Sequence, residues 1–483
     1  MNYNIKKLIV TLTLLILTIG VTFAYFMART GEGKQAGTTI TADTVDDLKF
    51  NVSKENLSLN INQFNFASGA GNLTDNVTAT ASLKANSTKN TATYNYYVYF
   101  QIESNDYVYT TTDKKPEIVL SITGPNGEIT SVDGLTYVSA TNADGTVVKG
   151  FDITESKQSL IKIADSFEIS SSSSTNYTNQ EWTFTVTFIN LDTNQVGNQN
   201  KNLTGKVLIQ QDKIILLKDY IISQYTGTQG ENYIYYHNSS LTNGARDNSY
   251  RYAGGNMYVN NYICLGLSEA SCSFKNVYRI IGVFEKENHG VEGEQLVKVI
   301  KRSSYDSIPW NTTASNDWVN SSLNKILNTT FKTEQLSEIE DKIAEVSWKV
   351  SGSSNSKATA KTLYTTEVAN ATKTYTAKIG LMYASDYGFA TTNDYWATNL
   401  NSYDSGAYKK SWLNSGSNEW LLSPRSSASN AAMILAGSGY VGSDTVTSSL
   451  MVHPSFYLLS SVQYVGGSGT ESDPYRIKWQ KTP

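Results

Sequence analysis

Side chains able to do chemistry are sparse in this chain of 483 residues. There are three histidines, His237, His289 and His453, and no two stand at the His-x-x-x-His spacing of a helical zinc site. His237 lies in a polar run and His289 at an expected loop tip, while His453, between Val452 and Pro454, is expected packed or hydrogen-bonded near the core. No Gly-x-Ser-x-Gly elbow and no P-loop occurs. The glycines of residues 437–442 surround Tyr440 and Val441, which suits a hairpin turn rather than a phosphate loop between strand and helix. Asp386 with Asp394, or Asp404 with Glu419, would serve as acid and base of a glycosidase only if folding set them across a cleft. Asp386 in Ala384-Ser385-Asp386-Tyr387 suits a turn or helix cap equally well. No catalytic residue, metal ligand or cofactor is therefore assigned, and the expectation is a protein that is not an enzyme.

Two further sets of residues carry more. Cys264 and Cys272 are the only cysteines; in an exported chain so close a pair is expected to form a disulfide closing a short loop. Tyr395, Trp396, Tyr403, Tyr408 and Trp412 fall in a polar, loop-like stretch where burial of all five is not expected. Their rings offer apolar faces to a sugar or a protein anchor at low entropic cost, and they are the candidate ligand-binding residues. The alternative is that Trp396 and Trp412 fill the core. Residues 430–449, rich in Ser, Gly and Asn, would form a rim beside them, and Arg425 after Ser423-Pro424 is expected as a buried anchor.

The elements that must position these residues begin at the membrane. Residues 8–28 are apolar and uncharged behind Lys6 and Lys7, long enough to cross a bilayer as a helix with the rest of the chain outside. Thr22-Phe23-Ala24 is an acceptable cleavage site for a signal peptide. The apolar run continues through Met27 and Ala28, which favours an uncleaved anchor. Both readings put the bulk of the chain in the extracellular space, tethered in the first case and secreted in the second. Charged residues make up only 17% of the chain and the net charge is −4, so no electrostatic footprint for nucleic acid exists.

Residues 1–29 thus read as signal-anchor or signal peptide and residues 30–46 as a spacer. Residues 47–211 alternate apolar and polar positions, as in Tyr94, Tyr96, Val98, Phe100 and Ile102, or Trp182, Phe184, Val186 and Phe188. Strands are expected over 57–61, 77–83, 93–102, 118–123, 182–188 and 203–210, with a turn at Gly124-Pro125-Asn126-Gly127, giving an all-β sandwich. Residues 212–230 read as a helical linker, with a helix over 212–223. Residues 231–483 read as a loop-rich α+β domain, with strands over 277–283 and 296–300. Helical stripes are expected at Val319, Leu323, Ile326 and Leu327, and at Leu336, Ile339, Ile343 and Val346 behind a Thr333 N-cap.

An ordered series of segments in the second half carries a resemblance: residues 237–255, 260–266, 272–284, 378–390, 419–434, 452–458 and 467–477. It resembles a family of surface proteins from Gram-positive gut bacteria that join a lysine-flanked membrane segment, a variable β-rich region and this C-terminal domain. The resemblance implies surface attachment and no particular biochemical activity. The closing pattern, Trp420-Leu421-x-Ser423-Pro424, a glycine-rich hairpin and then His453-Pro454, is similar to the end of C-type-lectin-like domains. Relatives carry Arg before that proline. The catalytic cysteine of formylglycine-generating enzymes has no counterpart after Cys272, and calcium-lectin motifs are missing, so such a fold would bind without metal. The β-rich half, behind the membrane exit Phe23-Ala24-Tyr25-Phe26, also resembles the general layout of camelysin-like matrix proteins, which can assemble. The expected function is a membrane-tethered, adhesin-like surface protein binding a glycan or protein. The alternatives are a structural or matrix-forming subunit and, behind it, an extracellular glycan hydrolase.

Overall fold

The computed structural model describes residues 46–62, 73–156, 159–266, 272–353 and 357–478. The segment 8–28 expected to anchor or export the chain, and most of the spacer before residue 47, lie outside the described residues. Among those described, no helix is long and apolar enough to cross a membrane. The fold is mostly β-sheet and multidomain, in two compact units, Met1–Lys213 and Ile214–Pro483.

In the first unit the two-residue alternation becomes two antiparallel sheets. One runs Asp47–Val52, Leu73–Lys84, Thr178–Phe188, Ile118–Gly124, Val147–Asp152 and Tyr137–Thr141, with a short hairpin strand Gly127–Glu128 on Ile118–Gly124. The other runs Leu57–Asn60, Asn202–Gln210, Ala92–Asn105 and Ser159–Ser171. Side chains of both sheets, among them Val77, Leu120 and Phe184 from the first and Leu59, Phe100 and Val207 from the second, share one apolar core, which fits a β-sandwich. At its heart the Trp182 indole donates to the Tyr96 hydroxyl at 2.9 Å, and that hydroxyl donates to Gln180 at 2.8 Å. The buried Glu117 carboxylate accepts from the Thr110 amide and hydroxyl, Gln195 and Asn198, all uncharged donors, and so pins two long loops together.

The second unit is built on a nine-stranded sheet whose path is Ile379–Gly380, Ser455–Leu458, Leu296–Lys301, Val277–Phe284, Tyr262–Cys264, Tyr475–Ile477 and Tyr464–Gly466. A branch, Ile234–Tyr236 and Tyr250–Tyr252, pairs onto Val277–Phe284. A five-stranded sheet contains Glu419–Pro424 and the hairpin Ala431–Leu435/Val441–Thr445, which places the glycine-rich 437–442 stretch at a turn. The Cys264–Cys272 disulfide is present and lies at the end of Tyr262–Cys264.

Two helical expectations are corrected here. The helix expected over 212–223 spans only Leu217–Ser223 and belongs to the second unit, with Leu217 and Ile221 in its core. Leu216 just before it is extended and bridges Gln463, since β-branched Ile214 and Ile215 favour strand-like backbone. Thr333 lies inside helical turns that end at Gln335 rather than capping a new helix. Leu336, Ile339, Ile343 and Val346 are all buried, the first three along short turns and Val346 at the start of the strand Val346–Lys349. There the Ala344 amide donates to Tyr457, so sheet bonding has replaced the helical bonds that the spacing invited.

Gly282 sits where Tyr250–Tyr252 crosses Val277–Phe284, and a Cβ there would run into the Tyr250 carbonyl oxygen. Replacing Gly282 with Ala is expected to lower stability by about 1–3 kcal/mol through forced separation of the strands. Denaturant unfolding followed by tryptophan fluorescence measures it; an unchanged midpoint would show that the strands yield freely.

Candidate functional site

The second unit encloses a cluster of charges that no pattern in the sequence announces. Arg251 leaves the middle of Tyr250–Tyr252 and reaches Asp247 with Nη2 at 2.6 Å, the Ser249 hydroxyl with Nε at 2.7 Å and Asp386 with Nη1 at 3.4 Å. Lys298, from Leu296–Lys301, reaches the other oxygen of Asp386 at 2.7 Å. Asp386 is the third residue of the helix Ala384–Ala390, and its Oδ2 also accepts from the Tyr383 amide at 2.9 Å, the helix-capping role its sequence context suited. All four side chains are buried. Burial pushes Asp247 upward, but Arg251 beside it, with bonds from Ser249 and Asn288, holds it well below the carboxylate range. Lys298 is lowered by burial against the opposing pull of Asp386.

Next to this cluster, Glu367 accepts from the Ser423 hydroxyl at 2.7 Å and the Ser385 amide at 3.1 Å, and burial raises it to about 7. Glu419 is raised by burial to about 8, and its Oε2 lies 3.3 Å from His453 Nδ1, whose own value burial lowers to about 4. The proton of that pair therefore rests on the carboxyl. His237, within its polar run, and His289, at the end of the short helix Lys286–His289 between two strands, are also buried; burial lowers them to about 3 and about 4. Each uses Nδ1 to accept a backbone amide, from Ala245 and Val291.

The candidate ligand residues do not form one surface. Trp396, Tyr403 and Trp412 are core residues: Trp396 packs edge-on against Phe389, and the Trp412 indole donates to the Tyr252 carbonyl at 3.0 Å. Tyr395 is half-buried against Tyr403, and the side chain of Tyr408 lies outside the described residues. The polar residues between these rings cap turns at the surface, as Asp404 does for Ser405–Lys409, which is why a polar stretch hides aromatic anchors. Each suggested carboxylate pair is split between interior and surface: Asp386 and Glu419 are buried, Asp394 is ion-paired with Lys410 at 2.6 Å, and Asp404 is exposed. Arg425 is exposed on Ser427 and Ser443; the buried arginines are Arg251 and Arg279. Arg279 lies between the Tyr262 and Trp412 rings, 4.1 and 4.7 Å from their centres, which gives Trp412 its structural task. Among the described residues no group of acidic, histidine or cysteine side chains is arranged to hold a metal.

Exposed aromatic surface gathers elsewhere. Tyr258 is 62% exposed, Met257 90% and Tyr233 39%, and the two tyrosine rings lie 6.4 Å apart and 19° from parallel. Gly254 and Gly255 make this possible. A Cβ on Gly254 would stand 2.9 Å from the Tyr233 ring, and one on Gly255 would stand 2.9 Å from the Lys409 carbonyl and 3.3 Å from Tyr258. Asn232 and Tyr233 both take left-handed backbone, at φ 55° and 60°. For Tyr that conformation costs on the order of 1–3 kcal/mol and persists only where the surroundings impose it. The Tyr233 carbonyl is held by the Ala253 amide at 2.9 Å and the Gly254 amide by Ala390 at 2.9 Å. The ring pair thus rests on the strand that carries Arg251 and on the end of the helix that carries Asp386. The sequence signals were the adjacent glycines and the Asn-Tyr pair after Gly230.

No protein-family profile matches the chain, and no curated protein matches it.

The buried acids and histidines set opposite limits on stability. Above about 6.5 the unfolded chain has released carboxyl protons that folded Glu367 and Glu419 retain, so stability falls from there to about 8. Below about 4.5 the unfolded histidines hold protons that folded His237, His289 and His453 refuse, so stability falls on that side too. Between those limits three histidines oppose two carboxyls, so a shallow rise to a maximum near pH 6.5 is expected. Melting followed by tryptophan fluorescence across this range checks it, and Glu419→Gln should flatten the alkaline fall. A curve that keeps rising to pH about 8 would contradict these protonation states.

Proposed function

We propose that this is an extracellular surface protein, held by residues 8–28 or released if they are cleaved, whose first unit acts as a sandwich stalk. Its second unit, taken as C-type-lectin-like, is a metal-free binding module for a glycan or protein. The observation that supports this reading is the Tyr233–Tyr258 pair. A tyrosine kept exposed at a backbone cost, against a two-glycine floor tied to a buried ionic core, is a rigid aromatic contact. In this reading the contact surface is Tyr233, Met257 and Tyr258, and Trp396, Tyr403 and Trp412 support the fold behind it. The C-type-lectin-like arrangement rests on the closing motif, whose Trp420-Leu421-Leu422-Ser423-Pro424 segment forms a buried strand.

The test is binding of the chain from residue 30 onward to arrayed mucin glycans, cell-wall polysaccharides and host matrix proteins. Tyr258→Ala is expected to weaken the strongest interaction at least tenfold, about 1.4 kcal/mol or more. Tyr233→Asn removes a ring while keeping a residue that tolerates left-handed backbone, so binding should drop while the melting temperature holds or rises. Binding that survives both substitutions would remove this surface from consideration, and self-assembly without any ligand would favour the structural subunit instead.

A further inference from the structure

Lys298, Asp386 and Glu367 form a constellation whose chemistry the binding reading does not use. Lys298 Nζ stands 2.7 Å from Asp386 Oδ2, and both side chains are buried. The rings of Tyr383, Trp348, Tyr457 and Phe284 wall the ammonium at 4.5, 5.2, 5.4 and 5.9 Å from their centres. Glu367 is buried too and accepts the amide of Ser385, the residue directly before Asp386. An amine and a carboxyl locked in contact, closed off from water and attended by a second carboxyl, are the reactants and proton carrier of an amide condensation.

We propose that Lys298 and Asp386 join in an intramolecular isopeptide bond, a covalent link between the strand Leu296–Lys301 and the helix Ala384–Ala390, with Glu367 as the proton carrier. The proposal does not depend on the binding reading. A proton passes from the ammonium to Oδ2, the oxygen it already contacts, leaving a neutral amine and acid. Nζ then attacks Cγ, and the charge that develops on Oδ1 is met by Arg251 Nη1, 3.4 Å away. Glu367 takes a proton from the nitrogen and returns it to Oδ2. The Nζ–Cγ bond forms and the Cγ–Oδ2 bond breaks. Of the three ammonium hydrogens one stays on the amide nitrogen and two leave with Oδ2 as water, so no oxidant or reductant is needed.

Three features favour the step. Fixed contact replaces the encounter of two groups and is worth an effective concentration on the order of 10⁵ M or more in well-aligned cases. Burial raises Glu367 to about 7, which gives it acid and base forms near neutrality. The aromatic walls exclude the water that would reverse the reaction.

Intact mass of the full chain, denatured and reduced, decides the matter. The expected mass is one water below that of the sequence, with a branched peptide joining the Lys298 and Asp386 segments in a digest. Glu367→Gln is expected to restore the unlinked mass while tryptophan fluorescence stays native. Lys298→Met is expected to restore it as well; if that variant does not fold, the wild-type digest alone is decisive. A wild-type chain of full mass, with Lys298 recovered as a free amine, overturns the proposal and leaves an ordinary buried salt bridge. A Glu367→Gln chain that is still one water lighter overturns the role given to Glu367.

Discussion

The second unit depends on the removal of four charges from water. Arg251, Lys298, Asp247 and Asp386 are each buried, and each ion would cost several kcal/mol alone. They are tolerated because their partners are complete. Two cations meet two anions, and Ser249, Asn288 and the Tyr383 amide supply the remaining hydrogen bonds. Their contribution is less to net stability than to register. Tyr250–Tyr252, Leu296–Lys301 and Ala384–Ala390 can approach in only one way that leaves no charge unpaired. The loop carrying Asp247 accepts left-handed backbone at Arg246 and Asn248 to reach this arrangement.

What lies outside this cluster follows from it. The strand placed by Arg251 continues into Ala253 and Gly254, whose amides fix Tyr233 and the end of the Asp386 helix. A surface ring pair is thereby connected, through two residues of chain, to the least solvated part of the unit. Glu367 and the Glu419–His453 pair extend the same economy of water toward the five-stranded sheet, where burial raises the carboxyls to about 7 and about 8. The first unit solves the problem differently: Glu117, the one charged side chain buried among its described residues, is satisfied by amides and a hydroxyl alone.

Much of the sheet structure was legible in the sequence, and the reason is periodicity. Alternation in 93–102 and 182–188 survives as Ala92–Asn105 and Thr178–Phe188, because a strand with one buried face must alternate. The fully buried strands Val277–Phe284 and Leu296–Lys301 were also visible, yet Arg279 and Lys298 inside them gave no hint of burial. Composition records a charge and not its partner, and the partner of Lys298 lies 88 residues away. The same gap governs the aromatic rings. Trp396 and Trp412 sit among Asn, Asp and Ser, yet both lie in the core, as the alternative reading of them had it. Tyr233 and Tyr258 sit beside glycines whose purpose appears only when the ring meets the missing Cβ. The helix expected behind Thr333 failed for a third reason, whereas the one expected around Leu323 and Ile326 is present: apolar spacing at Leu336–Val346 reports burial, and turns can bury the same residues when a strand edge competes for their amides.

One feature of the second unit bears on its portability. Its first residues are stitched to a late strand: Leu217 donates to Val462, Tyr464 donates to Ile215, and Leu216 bridges Gln463. That strand, Tyr464–Gly466, also pairs with Tyr475–Ile477, so the first residues and the last described strand flank one strand. A unit arranged in this way needs only a short connection to be spliced into a surface loop of another protein, or to be reopened elsewhere by circular permutation.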